Sequence, residues 1–215
     1  MDVVIAGGHG KIALHLERLL SDRGDPVRGL VRNPGHREDL AAQGAEAVVV
    51  DLEQAPDEAV AGAIDGADAV VFAAGAGPGS GKERKWTMDY GGAAKLLRAA
   101  RRAGVPRYVI VSSMGADRPP AGEEDTFAVY LQAKAKADEE LQASDREWTV
   151  VRPGGLTDDP PAGDVTLGEK VPRGRIPRAD VAAVLAGCLD RPGTVGKTFE
   201  VVSGDTPIDE ALDTL

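Results

Sequence analysis

The stretch Val3-Val4-Ile5-Ala6-Gly7-Gly8-His9-Gly10-Lys11-Ile12-Ala13-Leu14-His15-Leu16 decides the fold. Its first four residues are apolar without a polar break, as in a strand buried on both faces. The glycines interrupt that run, and from Lys11 the spacing of Ile12, Leu16, Leu19 and Leu20 is helical. Gly24 and Pro26 end the helix, and Val27 to Val31 reads as a second strand.

The same alternation continues along the chain. A short helix around Arg37 to Gln43 precedes a third strand at Val48 to Val50, and Pro56 opens a helix before a fourth at Ala69 to Ala73. A helix from Thr87 to Ala103, closed by Gly104 with Pro106 beyond it, leads to a fifth strand at Tyr108 to Val111. Phe127 to Ala143 is the next helix, and Trp148 to Val151 the sixth strand. Repeated β-α units with right-handed crossovers predict an α/β fold with a doubly wound parallel sheet, a single domain over residues 1–215.

Beyond Val151 the texture changes. Residues Pro153 to Pro177 are rich in Gly, Pro and Asp, with one apolar stretch at Val165 to Leu167, and read as a substrate-side loop. A helix at Pro177 to Leu189, a strand at Thr198 to Val202 and a short helix at Pro207 to Leu215 complete the expected elements.

With 215 residues the chain can hold one sizeable core and is short for two ordinary domains. Its 25 Lys and Arg against 35 Asp and Glu leave a formal charge of −10, which argues against nucleic acid and anionic membranes as partners. One cysteine, Cys188 at a helical apolar position, excludes an intrachain disulfide and a Cys-based zinc site. Three scattered histidines show no ligand spacing, so no metal is expected, with His15 and His36 placed on the surface. No run approaches the ~18 apolar residues of a membrane span, and no signal peptide is seen. A soluble, cytoplasmic protein is the expectation. No Gly-x-Ser-x-Gly elbow supports hydrolase chemistry.

Gly7, Gly10 and Ala13 stand at the spacing G-x-x-G-x-x-G/A between strand and helix. The first permits the tight turn, the second a close backbone approach to a pyrophosphate, and the third close helix packing. Gly7, Gly8, His9, Gly10, Lys11 and Ile12 are therefore candidate cofactor residues, the anion resting on the helix N-terminus. His9 reads either as a pyrophosphate contact or as a plain loop residue. The second strand ends Val31-Arg32-Asn33-Pro34, with no acid to take a ribose 2′-OH. Arg32 suits a 2′-phosphate, so NADP(H) is favoured over NAD(H), the alternative being a solvated arginine. Arg37 is either a second phosphate contact or a surface charge. Asp51 could accept from the adenine amine or cap a turn, with Leu52 over the ring. Ala73, Ala74 and Gly75 let the backbone come close to the cofactor at the end of the fourth strand.

The ordered set of Gly7–Ala13, Val31–Pro34, Val109-Ile110-Val111-Ser112-Ser113-Met114-Gly115-Ala116, Tyr130-Leu131-Gln132-Ala133-Lys134 and Val150-Val151-Arg152-Pro153-Gly154 resembles the short-chain dehydrogenase/reductase superfamily. It is most similar to the small atypical branch with NmrA-like and flavin/biliverdin-reductase-B-like groups. The resemblance covers about residues 3 to 200. It implies a Rossmann-type fold, a Tyr-x-x-x-Lys pair at Tyr130 and Lys134, and a substrate-orienting hydroxyl from Ser112 or Ser113. In such a pair the lysine holds the nicotinamide ribose and lowers the tyrosine pKa, so that the tyrosine exchanges a proton with the substrate. Residues four apart on a helix share a face, as that pairing needs. The resemblance also adds Val111, Lys134, Pro153 and Gly154 to the cofactor contacts.

The activity so implied is hydride transfer between NADP(H) and a small carbonyl, quinone or flavin-like substrate. A non-catalytic NADP(H) sensor is the alternative, and a sugar-nucleotide epimerase or dehydratase a weaker one. The substrate pocket is expected from Gly75 to Lys85, Met114 to Asp125 and Pro153 to Pro177. The sequence leaves a homodimer open.

Overall fold

The computed structural model describes residues 1–77, 79–122 and 125–215, which hold eleven strands and eight α-helices. The strands are β1 (Val3–Ala6), β2 (Val27–Val31), β3 (Glu46–Val49), β4 (Ala69–Phe72), β5 (Arg107–Val111), β6 (Glu147–Pro153), β7 (Gly155–Thr157), β8 (Asp164–Gly168), β9 (Arg175–Pro177), β10 (Lys197–Ser203) and β11 (Thr206–Pro207). The helices are α1 (Lys11–Asp22), α2 (Arg37–Ala42), α3 (Asp57–Ala63), α4 (Lys82–Arg84), α5 (Gly91–Ala103), α6 (Thr126–Gln142), α7 (Arg178–Asp190) and α8 (Ile208–Leu212).

The main sheet runs β11-β8-β10-β6-β5-β4-β1-β2-β3, and β3 through β6 with β10 are parallel throughout. The order 3-2-1-4-5-6 within it is the doubly wound one, whose direction of winding reverses between β1 and β4. Successive residues of β1 feed opposite cores. Val3 and Ile5 pack with Leu16 and Leu20 of α1 and with α7, while Val4 and Ala6 pack with α3, α5 and α6. All four are wholly buried, so the unbroken apolar run is what a two-sided sheet requires.

The structure departs from the sequence expectation in three places. The sheet is not parallel throughout: β8 pairs antiparallel with both β10 and β11 at one edge. The segment from Pro153 to Pro177 is not a loop but carries β7, β8 and β9, with β7 and β9 forming a two-stranded sheet of their own. Its strands are three to five residues long between Gly and Pro, too short for periodicity to register. Buried Asp180 fixes the chain leading into β8 by accepting from the Ala162 and Gly163 N–H groups, at 3.0 Å each.

The helix expected from Thr87 starts earlier. α4 passes into a π-helical stretch, Lys85–Tyr90, before α5 begins at Gly91. A side chain at Gly92 would come within 3.0 Å of the Met88 sulfur and 3.5 Å of the Phe72 ring, so the glycine lets the widened turn seat on β4. Such turns concentrate at functional sites, and this one aims Lys85, Met88 and Asp89 inward.

Candidate cofactor cleft and active site

A cavity of about 320 Å³ lies outside the carboxyl ends of β1, β2 and β4, where ligands bind in this architecture. Of the candidate cofactor residues, Gly7, His9, Gly10, Arg32, Asp51, Leu52, Ala73, Ala74 and Gly75 line it. Gly7 has φ +83°, and a Cβ there would lie 2.6 Å from the Ala74 Cα, so only glycine fits this turn. Ala13 is fully buried behind it, as close packing of helix on strand demands. No side chain caps α1 and no acid stands in its first turn, leaving those N–H groups for an anion. A dinucleotide fits this cradle.

Other expected cofactor residues sit elsewhere. Gly8 packs the turn onto β2: its N–H donates to the Leu30 carbonyl at 3.0 Å, and a Cβ would meet Gly29 at 2.8 Å. Ile12 is a core residue, and exposed Lys11 pairs with Asp158 through its side chain. Asp51 caps a turn by accepting from the Glu53 N–H at 2.8 Å, while still lining the cavity. Arg32 is exposed at its rim, with no hydrogen bond or ion pair among the described residues, and Arg37 lies outside the lining.

His36 is not a plain surface residue. Its ring stacks on His9 at 3.6 Å between centroids, both line the cavity, and His9 Nε2 sits 2.8 Å from Asp39 Oδ2. Met88, which the sequence reading missed, and Arg84, which it placed in the substrate pocket, line the same cavity. Arg84 is held by Glu53 and the Ala76 carbonyl, so its charge is already paired. The Gly75 to Lys85 stretch thus serves this cleft more than a substrate pocket. Pro78, Glu123 and Glu124, within two of the expected pocket stretches, lie outside the described residues.

A second cavity, about 470 Å³, opens beyond β5 and β6. Ser113, Tyr130, Pro153 and Gly154 line it, as do Met114 and Gly115. Pro153 and Gly154 therefore border this cavity rather than the cofactor cleft. A Cβ at Gly154 would lie 2.5 Å from the Gly174 carbonyl oxygen, which explains the glycine.

Tyr130 is half-buried, stacked against exposed Phe127 with centroids 5.7 Å apart. Two ammonium groups flank its ring: Lys85 Nζ at 5.6 Å and Lys134 Nζ at 5.9 Å from the centroid. Both lysines are buried. Lys85 donates to the Gly77 carbonyl at 3.0 Å. Lys134 donates to the Val111 carbonyl at 2.9 Å and faces Asp89 Oδ1 at 3.6 Å, so the contact of Val111 is with this lysine. Asp89 is itself buried and accepts from the Ala76 N–H at 3.2 Å. The Tyr-x-x-x-Lys pair is thereby embedded in a charge network that includes two residues, Lys85 and Asp89, from the π-helical turn.

The two candidate serines differ. Ser112 is buried and its Oγ donates to Asp138 Oδ2 at 2.7 Å, an oxygen that also takes Arg152 Nε and Nη2 at 3.0 and 2.9 Å. Burial pushes the Asp138 carboxyl up from its usual range, against the pull of Arg152. Ser112 is accordingly a structural hydroxyl with its proton committed. Ser112 and Ser113 both line the cavity, but Ser113 Oγ makes only a 3.3 Å contact with the Met114 carbonyl and is the less committed hydroxyl.

No group of metal-binding side chains and no helix long and apolar enough to cross a membrane occurs among the described residues. Against known proteins, an NAD(P)H-binding family model matches residues 7–192. A Bacillus subtilis protein described as an uncharacterized sugar epimerase is 39% identical over the whole of both chains. A Bacillus halodurans structure with the provisional description NAD-dependent epimerase/dehydratase superposes with TM-score 0.93 at 38% identity, covering all of both chains. An oxidoreductase from Lactococcus lactis gives TM-score 0.86 at 26% identity, over all of this chain and 96% of the other. Glycine turn, strand order and matched length agree: the chain belongs to the NAD(P)H-binding family, on the atypical short-chain dehydrogenase/reductase side of the Rossmann-fold proteins.

Proposed function

We propose that the protein is an NADP(H)-dependent oxidoreductase acting on a small carbonyl, quinone or flavin-like substrate. The observation that carries this reading is Tyr130, lining a cavity beside the open Ser113 hydroxyl with two buried lysine ammonium groups about its ring. NADPH, when bound, supplies the hydride that reduces the substrate. The chain's own residues do the rest. Tyr130 gives its phenolic proton to the substrate oxygen as that oxygen gains charge, and Ser113 donates a hydrogen bond to the same oxygen. Lys134 keeps a positive charge beside Tyr130, with donor capacity beyond the Val111 carbonyl for a ribose hydroxyl. Arg32, at the end of β2 and without an ion pair among the described residues, is the group for a 2′-phosphate.

Calorimetric titration with NADPH and NADH tests the cofactor. NADPH should bind at least tenfold more tightly, and Arg32→Ala should remove that preference while leaving NADH affinity unchanged. Equal affinities in the unmodified protein would sink the Arg32 assignment. Tyr130→Phe should lower turnover at least a hundredfold with NADPH affinity retained. Undiminished turnover would refute the proton-donor role, and absence of any turnover in the parent would favour a non-catalytic NADP(H)-binding regulator. A second reading, epimerase or dehydratase, rests on the descriptions of the two Bacillus relatives. It predicts product formation without net consumption of NADPH.

A further inference from the structure

The charged lining of the second cavity is one-sided. Arg173 and Arg178 both face it, and no Asp or Glu lines it among the described residues, in a chain of formal charge −10. Arg178 is partly compensated, since its Nη1 donates to Asp158 Oδ1 at 2.6 Å and Asp158 also pairs with Lys11. Arg173 has no hydrogen bond or ion pair among the described residues. Carboxylates do stand nearby, in the adjoining cavity that Arg173 also borders, but Asp117 and Glu200 there hold Lys170, at 2.8 and 2.7 Å. Among the described residues the guanidinium is left without a counter-charge.

Its backbone is fixed all the same. The neighbouring Gly174 accepts from the Gly155 N–H at 2.9 Å and lies close enough to Val202 that a Cβ would come within 3.0 Å. An anchored backbone, a solvated planar fork with five donors and a pocket without acids among the described residues together form a receptor for an anion, matched to a carboxylate or phosphate. Phe127, 57% exposed and stacked on Tyr130, adds an apolar flank to the same cavity.

We propose that the substrate is an anionic carbonyl compound with an apolar or planar body, and that Arg173 is the residue selecting its anionic group. This rests on the reductase reading of the same site. The step it serves is balanced: hydride from NADPH adds to the carbonyl carbon, the C=O π bond breaks, and Tyr130 protonates the oxygen. The products are an alcohol, NADP⁺ and a tyrosinate that regains its proton from solvent.

The test uses phenylglyoxylate and its methyl ester, which share ring and ketone and differ in the anionic group. Calorimetry on the NADP⁺-loaded protein should show the acid binding at least tenfold more tightly than the ester. Arg173→Gln should erase that difference with the ester's affinity unchanged, and Arg178→Gln should reduce it less. Arg173 makes no contacts that folding needs, so a loss of fold is not expected, and circular dichroism checks it. Phenyl phosphate as competitor separates the two sources of charge: displacement of the acid supports a general anion site, and failure to displace it supports a carboxylate site. Equal affinity for acid and ester, a preference that survives Arg173→Gln, or binding of neither probe would overturn the proposal. The comparison needs no turnover, so the two readings fail separately. A protein that discriminates the acid yet oxidises no NADPH refutes the reductase, whereas one that reduces acid and ester equally well refutes only the role of Arg173.

Discussion

The two cavities open at the same ends of the strands but are walled differently. Where the glycine turn meets the end of β4, the cofactor cleft is walled by small residues, Gly7, Gly10, Ala73, Ala74 and Gly75, whose role is to be absent as side chains. Around the second cavity the walls depend on buried charges that meet from distant parts of the chain: Lys134 with Asp89, and Ser112 with Asp138 and Arg152. Specificity for a common cofactor can be written into backbone geometry, while a site for proton transfer needs charges placed in low dielectric. The comparison predicts that conservative changes at the second site will disturb stability as well as activity.

The largest expected effect follows from the Lys134–Asp89 pair. Lys134→Met removes the ammonium and leaves the Asp89 carboxylate buried without its partner, which should cost about 3–5 kcal/mol in urea unfolding. Adding Asp89→Leu should restore most of that loss, because an apolar pair replaces an ion pair at little net cost. Turnover should stay low in both variants. A single variant that unfolds within about 1 kcal/mol of the parent would break the contrast, since the lysine would then serve ligands alone.

Glu17 is the exception on the cofactor side. It projects from α1 toward Gly8 and Gly29, fully buried, and neither carboxyl oxygen has a partner. Burial pushes its carboxyl from 4.5 up to about 8. The folded state therefore holds a proton that the unfolded chain releases, and that release favours the unfolded state increasingly as pH rises from 4.5 to about 8. The expected loss is about 1.4 kcal/mol per pH unit, or roughly 3 kcal/mol between pH 5 and pH 7. Glu17→Gln should flatten that slope relative to the parent, read from urea midpoints across the window. Parallel slopes in the two proteins would mean that the carboxyl is ionised in the fold, and that the cleft too conceals a buried charge.

What could be read from the sequence follows the same division. Gly7 at φ +83° is legible because a glycine in a strand–turn–helix context states a backbone requirement. The burial of Val3 to Ala6 on both faces is legible for a similar reason, since an unbroken apolar run admits few other environments. Asp89 was not found, and Lys85 only as the end of an expected pocket stretch, because their place beside Tyr130 and Lys134 depends on a π-helical turn and on α6 lying next to it. Nothing in their spacing to Lys134 signals that contact. The strands β7 to β9 escaped because their pairing, not their composition, makes them strands.

The serines give the smallest effect and the finest distinction. Both were candidates on position, adjacent at the end of β5 and lining the same cavity, and their hydrogen-bond partners separate them. Ser112→Ala removes a 2.7 Å hydrogen bond to a buried carboxylate that already has one oxygen, Asp138 Oδ1, without a partner. A hydrogen bond to a charged group contributes about 1.5–3 kcal/mol, so the melting temperature should fall measurably. Arg152 still holds Asp138, which is why the loss should stay below that for Lys134→Met. Ser113→Ala removes only a long contact with a neighbouring carbonyl and should leave stability within about 0.5 kcal/mol. Its effect should appear in kcat instead, by tenfold or more, as a donor to the developing oxyanion is lost. If Ser112→Ala instead lowered kcat at unchanged stability, the buried network would belong to the chemistry. The second cavity would then resemble the first, with residues present for the ligand rather than for each other.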